Sequence, residues 1–168
     1  MRAITINTLL GFSLLLAGCG KKANAPTASS SSPAAVAQPA LTAWQQGDQS
    51  AAISSFVATD WSSRPLFPPN SPLSLSEDQF KALSNGERQS KSAEMMPQVD
   101  SLKRLAAAVA QAGREAASKG DTVLARKHFN SLKQCGAALN SPDGLRLVQL
   151  VGQGLQKLAD AELAKIGQ

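Results

Sequence analysis

QVDSLKRLAAAVAQAGREAASK, residues 98–119, followed at once by Gly120-Asp121, decides the fold. Leu102, Leu105, Val109, Ala112 and Ala116 recur at helical spacing and form one apolar stripe. Ala107, Ala110 and Ala117 line a second side. A helix apolar or small on two sides packs on two sides, so this one is placed centrally in the fold. Gly120 ends it as the left-handed residue beyond a helix C-terminus. Asp121 then caps a further helix, residues 122–139, with Leu124, His128, Leu132, Cys135 and Leu139 on its core face.

Downstream, Ser141-Pro142-Asp143 reads as an N-cap with proline in the first turn, opening a last helix that runs to Ile166. Upstream, Ser76 with Gln79 and Ser84 with Glu87 are two capping boxes, and Leu75 and Phe80 add a hydrophobic staple to the first. The helix begun at Ser84 is expected to break or kink at Pro97. Residues 62–75 hold Pro65, Pro68, Pro69 and Pro72, which exclude a regular helix. They read as an extended connection pinned by Leu66, Phe67 and Leu73. Before them, residues 41–46 and 48–60 predict two short helices about Gly47. Tyrosine is absent and aromatics are 4% of the chain, a composition that suits helices better than sheets. The expected class is all-α: a small helical bundle after a tether.

The N-terminus carries a different kind of signal. Arg2 is followed by an apolar run from Leu9 to Ala17, too short for a membrane span and of the length of a secretory core. Leu16-Ala17-Gly18-Cys19 then resembles the bacterial lipobox at all four positions. The resemblance implies cleavage between Gly18 and Cys19 and a covalent lipid on the Cys19 thiol. Several acyl chains on one residue hold a protein at a membrane far longer than one chain, at about 0.8 kcal/mol per buried CH₂. Gly20, where aspartate would retain such a protein in the inner membrane, favours the outer membrane. The address that the resemblance implies is the cell membrane or the outer membrane, with the domain on the periplasmic side. Residues 1–18 read as signal peptide, 19–38 as lipidated cysteine and disordered tether rich in Ala, Ser and Pro, and 39–168 as helical domain. Within the last, 39–61 is the first hairpin, 62–75 the Pro-rich connection and 76–168 the bundle.

Two stretches share the pattern Gly-Asp-x3-Ala-x3-Phe: Gly47 to Phe56 and Gly120 to Phe129. They resemble tetratricopeptide helical hairpins, in which Ala and Phe of the second helix lock against a small residue of the first, here Gly113 in the second copy. The final helix resembles the one that caps such an array. The copies are not a whole number of ~34-residue repeats apart. An Ala-rich bundle of another kind fits the same pattern. The repeat resemblance implies partner contacts along the first helix of each hairpin, which map onto Ala107, Ala110, Arg114 and Ala117. The alternative cover for those positions is the protein's own helix over residues 84–96.

No chemistry is spelled out. His128 is the only histidine, and Cys135 follows it two turns later, about 10 Å along the helix and beyond hydrogen-bonding reach. One histidine and one free cysteine do not make a zinc site. Cys135 lies in step with the apolar stripe and reads as a buried, inert thiol. Glu87 and Glu94 read as a solvated face, and Gly152 and Gly154 as positions of close helix packing. The pI is about 9.5, yet an exported chain does not ordinarily meet nucleic acid, so none is expected. The expectation is a non-enzymatic helical interaction module with membrane lipid and an envelope protein as partners. It has no metal, no cofactor beyond the covalent lipid and no evident small-molecule substrate. A structural envelope lipoprotein touching peptidoglycan or anionic lipid is the second reading, and an enzyme with an unrecognised site the third.

Overall fold

The computed structural model describes residues 35–167. The segment read as signal peptide, the one read as tether as far as residue 34, and with them Gly18, Cys19 and Gly20, lie outside the described residues. The chain runs α1 (Gln38–Gln45), α2 (Gln49–Ala58), a 3₁₀ turn (Pro72–Ser74), α3 (Glu77–Ala82), α4 (Asn85–Ser118), α5 (Thr122–Leu139) and α6 (Arg146–Ile166). The fold is all-α, as the periodicity predicts.

Two glycines set its hairpins. Gly47 and Gly120 have φ of 81° and 80°, the left-handed region that costs a residue without Cβ nothing. Each closes the preceding helix by the same pair of hydrogen bonds. Gly47 and Asp48 donate to the carbonyls of Trp44 and Ala43 at 3.1 and 3.0 Å, and Gly120 and Asp121 to those of Ala117 and Ala116 at 3.0 and 2.9 Å. The aspartate then caps the next helix: Asp48 accepts from Ala51 N and Asp121 from Leu124 N, both at 2.9 Å. The repeated sequence thus makes one repeated turn. Its Ala and Phe are buried in both copies, with Ala52, Phe56 and Ala125 at 0% exposure and Phe129 at 1%.

The two hairpins meet at a small polar knot. Ser131 Oγ, on α5, donates to the carbonyl of Phe56 at 3.0 Å and accepts from Trp61 Nε1 at 3.2 Å. Both side chains are buried, so these bonds satisfy groups that would otherwise be orphaned. The Phe56 and Trp61 rings pack with centroids 4.7 Å apart. Residues 62–75 cross the surface as expected, pinned by buried Phe67, Pro72 and Leu73 and half-buried Leu66.

Four expectations are corrected. The packed domain begins by Ala35 rather than at residue 39. Ala35 and Ala37 are buried, and Val36 N and Ala37 N donate to the carbonyls of Pro65 and Leu66 at 3.0 and 3.1 Å. Pro97 does not end a helix: α4 runs through it for 34 residues. Proline removes only the bond to the carbonyl of Ala93, and both residues stand on the exposed side. The buried stripe Met95, Val99, Leu102 and Leu105 continues unbroken beneath it. Leu124 is 42% exposed, because Ala125 and Phe129, not Leu124, face the core.

Finally, Ser141-Pro142-Asp143 forms a turn and not the start of α6, which begins at Arg146 with no cap from its own preceding side chain. The cap comes from α3: Glu77 Oε2 accepts from Arg146 N at 2.9 Å. Gln149 holds the turn by donating to the carbonyls of Ser141 and Gly144 at 3.0 and 2.9 Å. The α3 capping box is fully formed, so a short helix with no buried residue is anchored well enough to place Glu77 there.

Candidate functional site

Of the four positions mapped from the repeat resemblance, Ala107 and Arg114 stand exposed two turns apart on one side of α4, and the other two turn inward. Ala110 is 1% exposed, Ala117 is half-buried against the core and Ala107 is exposed to solvent. Residues 84–96 do not cover them, because they belong to α4 itself. Arg114 reaches instead to α6. Its Nε and Nη2 donate to Glu162 Oε1 at 3.0 and 2.9 Å, and Lys165 Nζ approaches the same oxygen at 3.2 Å. Glu162 is nearly buried, with 7% of its side chain exposed, while Arg114 keeps 45%. Burial pushes the Glu162 carboxyl up, but the hydrogen bonds and charges of Arg114 and Lys165 bring it below its ordinary value.

Arg114 is therefore a structural partner of α6 first. Arg114→Glu sets a second carboxylate against a nearly buried one. It is expected to cost about 1–2 kcal/mol, the value of a buried ion pair discounted for the half-exposed arginine. Arg114→Lys is expected to restore most of that loss, and chemical denaturation of the two variants checks the difference.

Cys135 is wholly buried, and burial pushes its thiol far above the ordinary range, so it presents no thiolate. His128 is 8% exposed and its Nδ1 is buried without a hydrogen-bond partner. Burial, and then the charge of Lys127, push its pKa below the ordinary value. Protonation therefore opposes folding. The unfolded chain binds the proton more readily, so stability present above about pH 6.5 is lost as pH falls from there. The hydrogen-bonded carboxylates of Asp60, Glu77, Glu87, Glu94 and Glu162 are all lowered and add a loss in the same direction, below about pH 4.5. His128→Leu is expected to flatten the upper part of the profile and leave the lower part. Thermal melts across that pH range check it.

Among the described residues no three His, Cys, Asp or Glu side chains are grouped to hold a metal ion. Nor is any helix there long and apolar enough to cross a membrane. What the fold does build is a cleft of about 260 Å³ between α3, the first half of α4 and the start of α6. Phe80, Met95, Met96, Leu145 and Leu147 line it, with Glu77 and Arg146 beside them. Met96 is 54% exposed. Methionine is unbranched and polarizable, and adapts to varied apolar surfaces. The sequence reading misses this cleft because it places a break at Pro97. The signal was present: Met95 stands four residues before Val99 and seven before Leu102, in register with the stripe beyond the proline. No family model, no curated protein and no solved structure matches this chain.

Proposed function

We propose that this chain is a bacterial lipoprotein, held by lipid on Cys19 at the periplasmic face of an envelope membrane, whose helical domain binds another envelope protein without turning over a substrate. The anchor reading rests on Leu16-Ala17-Gly18-Cys19 after a short apolar run. The binding reading rests on one observation above others: an open apolar cleft with two methionines beside helices that cap one another. Clefts with an apolar lining and few polar groups at the edge are where proteins hold ligands and partner segments.

The structural alternative needs a basic surface, and the charge is poorly placed for it. Arg2, Lys21 and Lys22 lie outside the helical domain, which holds the other basic residues of the chain's 17 and all 12 acids. The domain is close to electrically balanced, so attraction to anionic lipid or wall polymer rests chiefly on Lys21 and Lys22. A photo-crosslinking residue in place of Met96, in the full chain in intact cells, tests the proposal. The expected product is a discrete adduct with one envelope protein. Adducts with lipid or wall polymer alone support the structural role instead.

A further inference from the structure

A second cleft, of about 420 Å³, lies between α1, α4 and the connection that follows Phe67. Its size falls in the range of ligand sites, ~300–1,000 Å³. α1 turns Gln38, Leu41 and Gln45 to it, and α4 turns Glu94, Gln98 and Ser101, each set at helical spacing on one face. The connection adds Phe67, Pro68 and Asn70. Leu41 and Phe67 are buried and make the floor apolar. An ordinary solvated surface carries about a quarter to a third of its residues as charges. Residues 38–47 and 65–76, which supply two of the three walls, hold no Asp, Glu, Lys or Arg. Amides and hydroxyls stand in their place.

We propose that this cleft binds a neutral saccharide. Each amide presents a donor and an acceptor side by side, the pair that neighbouring hydroxyls of a sugar answer. Gln98 is held in place: its Oε1 accepts from Ser71 Oγ at 2.8 Å and its Nε2 donates to the Glu94 carbonyl at 3.3 Å. It keeps one N–H and one lone pair for a ligand. Gln38 Nε2 donates to Thr42 Oγ1 at 3.0 Å, which leaves its carbonyl oxygen as an acceptor. The side chains of Gln45, Asn70 and Ser101 bond to none of the described residues. The C–H face of a sugar ring suits the apolar floor. An anion finds no lysine or arginine in the lining. A cation finds the one carboxylate, Glu94, already met by Lys91 Nζ at 2.8 Å. A peptide strand carries its donors and acceptors along two opposite edges. Here they come from three sides, as hydroxyls around a ring do.

The inference stands apart from the Met96 cleft and from any lipid on Cys19. The test uses the full chain in a detergent without a sugar head group. Saturation-transfer NMR is run with glucose, galactose, mannose, N-acetylglucosamine and their short oligomers at millimolar concentration, and with trialanine as the neutral peptide. At least one saccharide is expected to bind saturably. Asn70→Ala and Gln45→Ala, both at exposed positions, should each weaken it about tenfold, the loss of an amide's pair of hydrogen bonds. Gln46→Ala removes an exposed amide outside the cleft and should change nothing. Circular dichroism checks that all three variants keep their helices. Isolated wall glycan that pellets wild type but not Asn70→Ala identifies the polymer as the source of the sugar. Saccharide binding without pelleting identifies a soluble one, and both uphold the site. No binding by any saccharide of the panel overturns the proposal. So does binding that neither Asn70→Ala nor Gln45→Ala weakens, or trialanine binding more tightly than every sugar.

Discussion

Phe129→Ala is expected to lower the free energy of unfolding by about 3–5 kcal/mol, the range for emptying a buried aromatic site. Phe129 is 1% exposed, on the face of α5 turned to α4. Its ring fills the space that Gly113 leaves: a Cβ at Gly113 would stand 2.7 Å from ring atoms Cε1 and Cζ. Ring and glycine are one device, so their substitutions should not add. Gly113→Ala alone forces the ring aside and is expected to cost about 1–3 kcal/mol as overpacking. In the Phe129→Ala background the new methyl enters a cavity, and its cost should vanish or reverse. Urea unfolding of the four proteins, followed by far-UV ellipticity, gives the coupling directly. A Phe129→Ala loss below about 1 kcal/mol would place the ring outside the core.

Gly152→Val should be of similar severity for a different reason. The backbones of α5 and α6 touch at Gly136 and Gly152. A Cβ on Gly152 would lie 2.6 Å from the Gly136 carbonyl oxygen and 2.9 Å from Asn140 N, and one on Gly136 would lie 2.7 Å from the Gly152 oxygen. Backbone cannot rotate away as a side chain can, so the two helices must separate along their shared seam. A cost of about 3 kcal/mol or more is expected. Gly154, half a turn away with open space about its Cβ, gives the contrast. Gly154→Ala removes only the conformational penalty of glycine and should stabilise by about 0.5–1 kcal/mol. Melting temperatures of the two variants should move in opposite directions.

These two sites also mark what the sequence disclosed. The Gly-Asp-x3-Ala-x3-Phe pattern announces both hairpins because φ near 80°, an Asp cap and a buried ring are local demands, each needing a particular residue. The Gly113–Phe129 lock and the close packing at Gly152 were legible on the same grounds. Gly154 was not: the sequence reads it as a packing position, and the structure leaves it open. The break expected at Pro97 shows the limit of local rules. One lost backbone bond on the solvent side is outweighed by an apolar stripe that stays in register across it. The turn at Ser141-Pro142-Asp143 failed as a helix start because the cap of α6 comes from Glu77, far away in the chain, and long-range caps leave no local signature. The ion pair of Arg114 was hidden for the same reason, its partner Glu162 lying on another helix.

The proposal that a lipid anchor presents this domain at a membrane turns on Cys19. Cells carrying the full chain can be grown with labelled palmitate and compared with cells carrying Cys19→Ala. Label on the wild-type protein and none on the variant, with the variant leaving the membrane fraction or remaining unprocessed, is the predicted result. No label on wild type, or equal label on both, would contradict it.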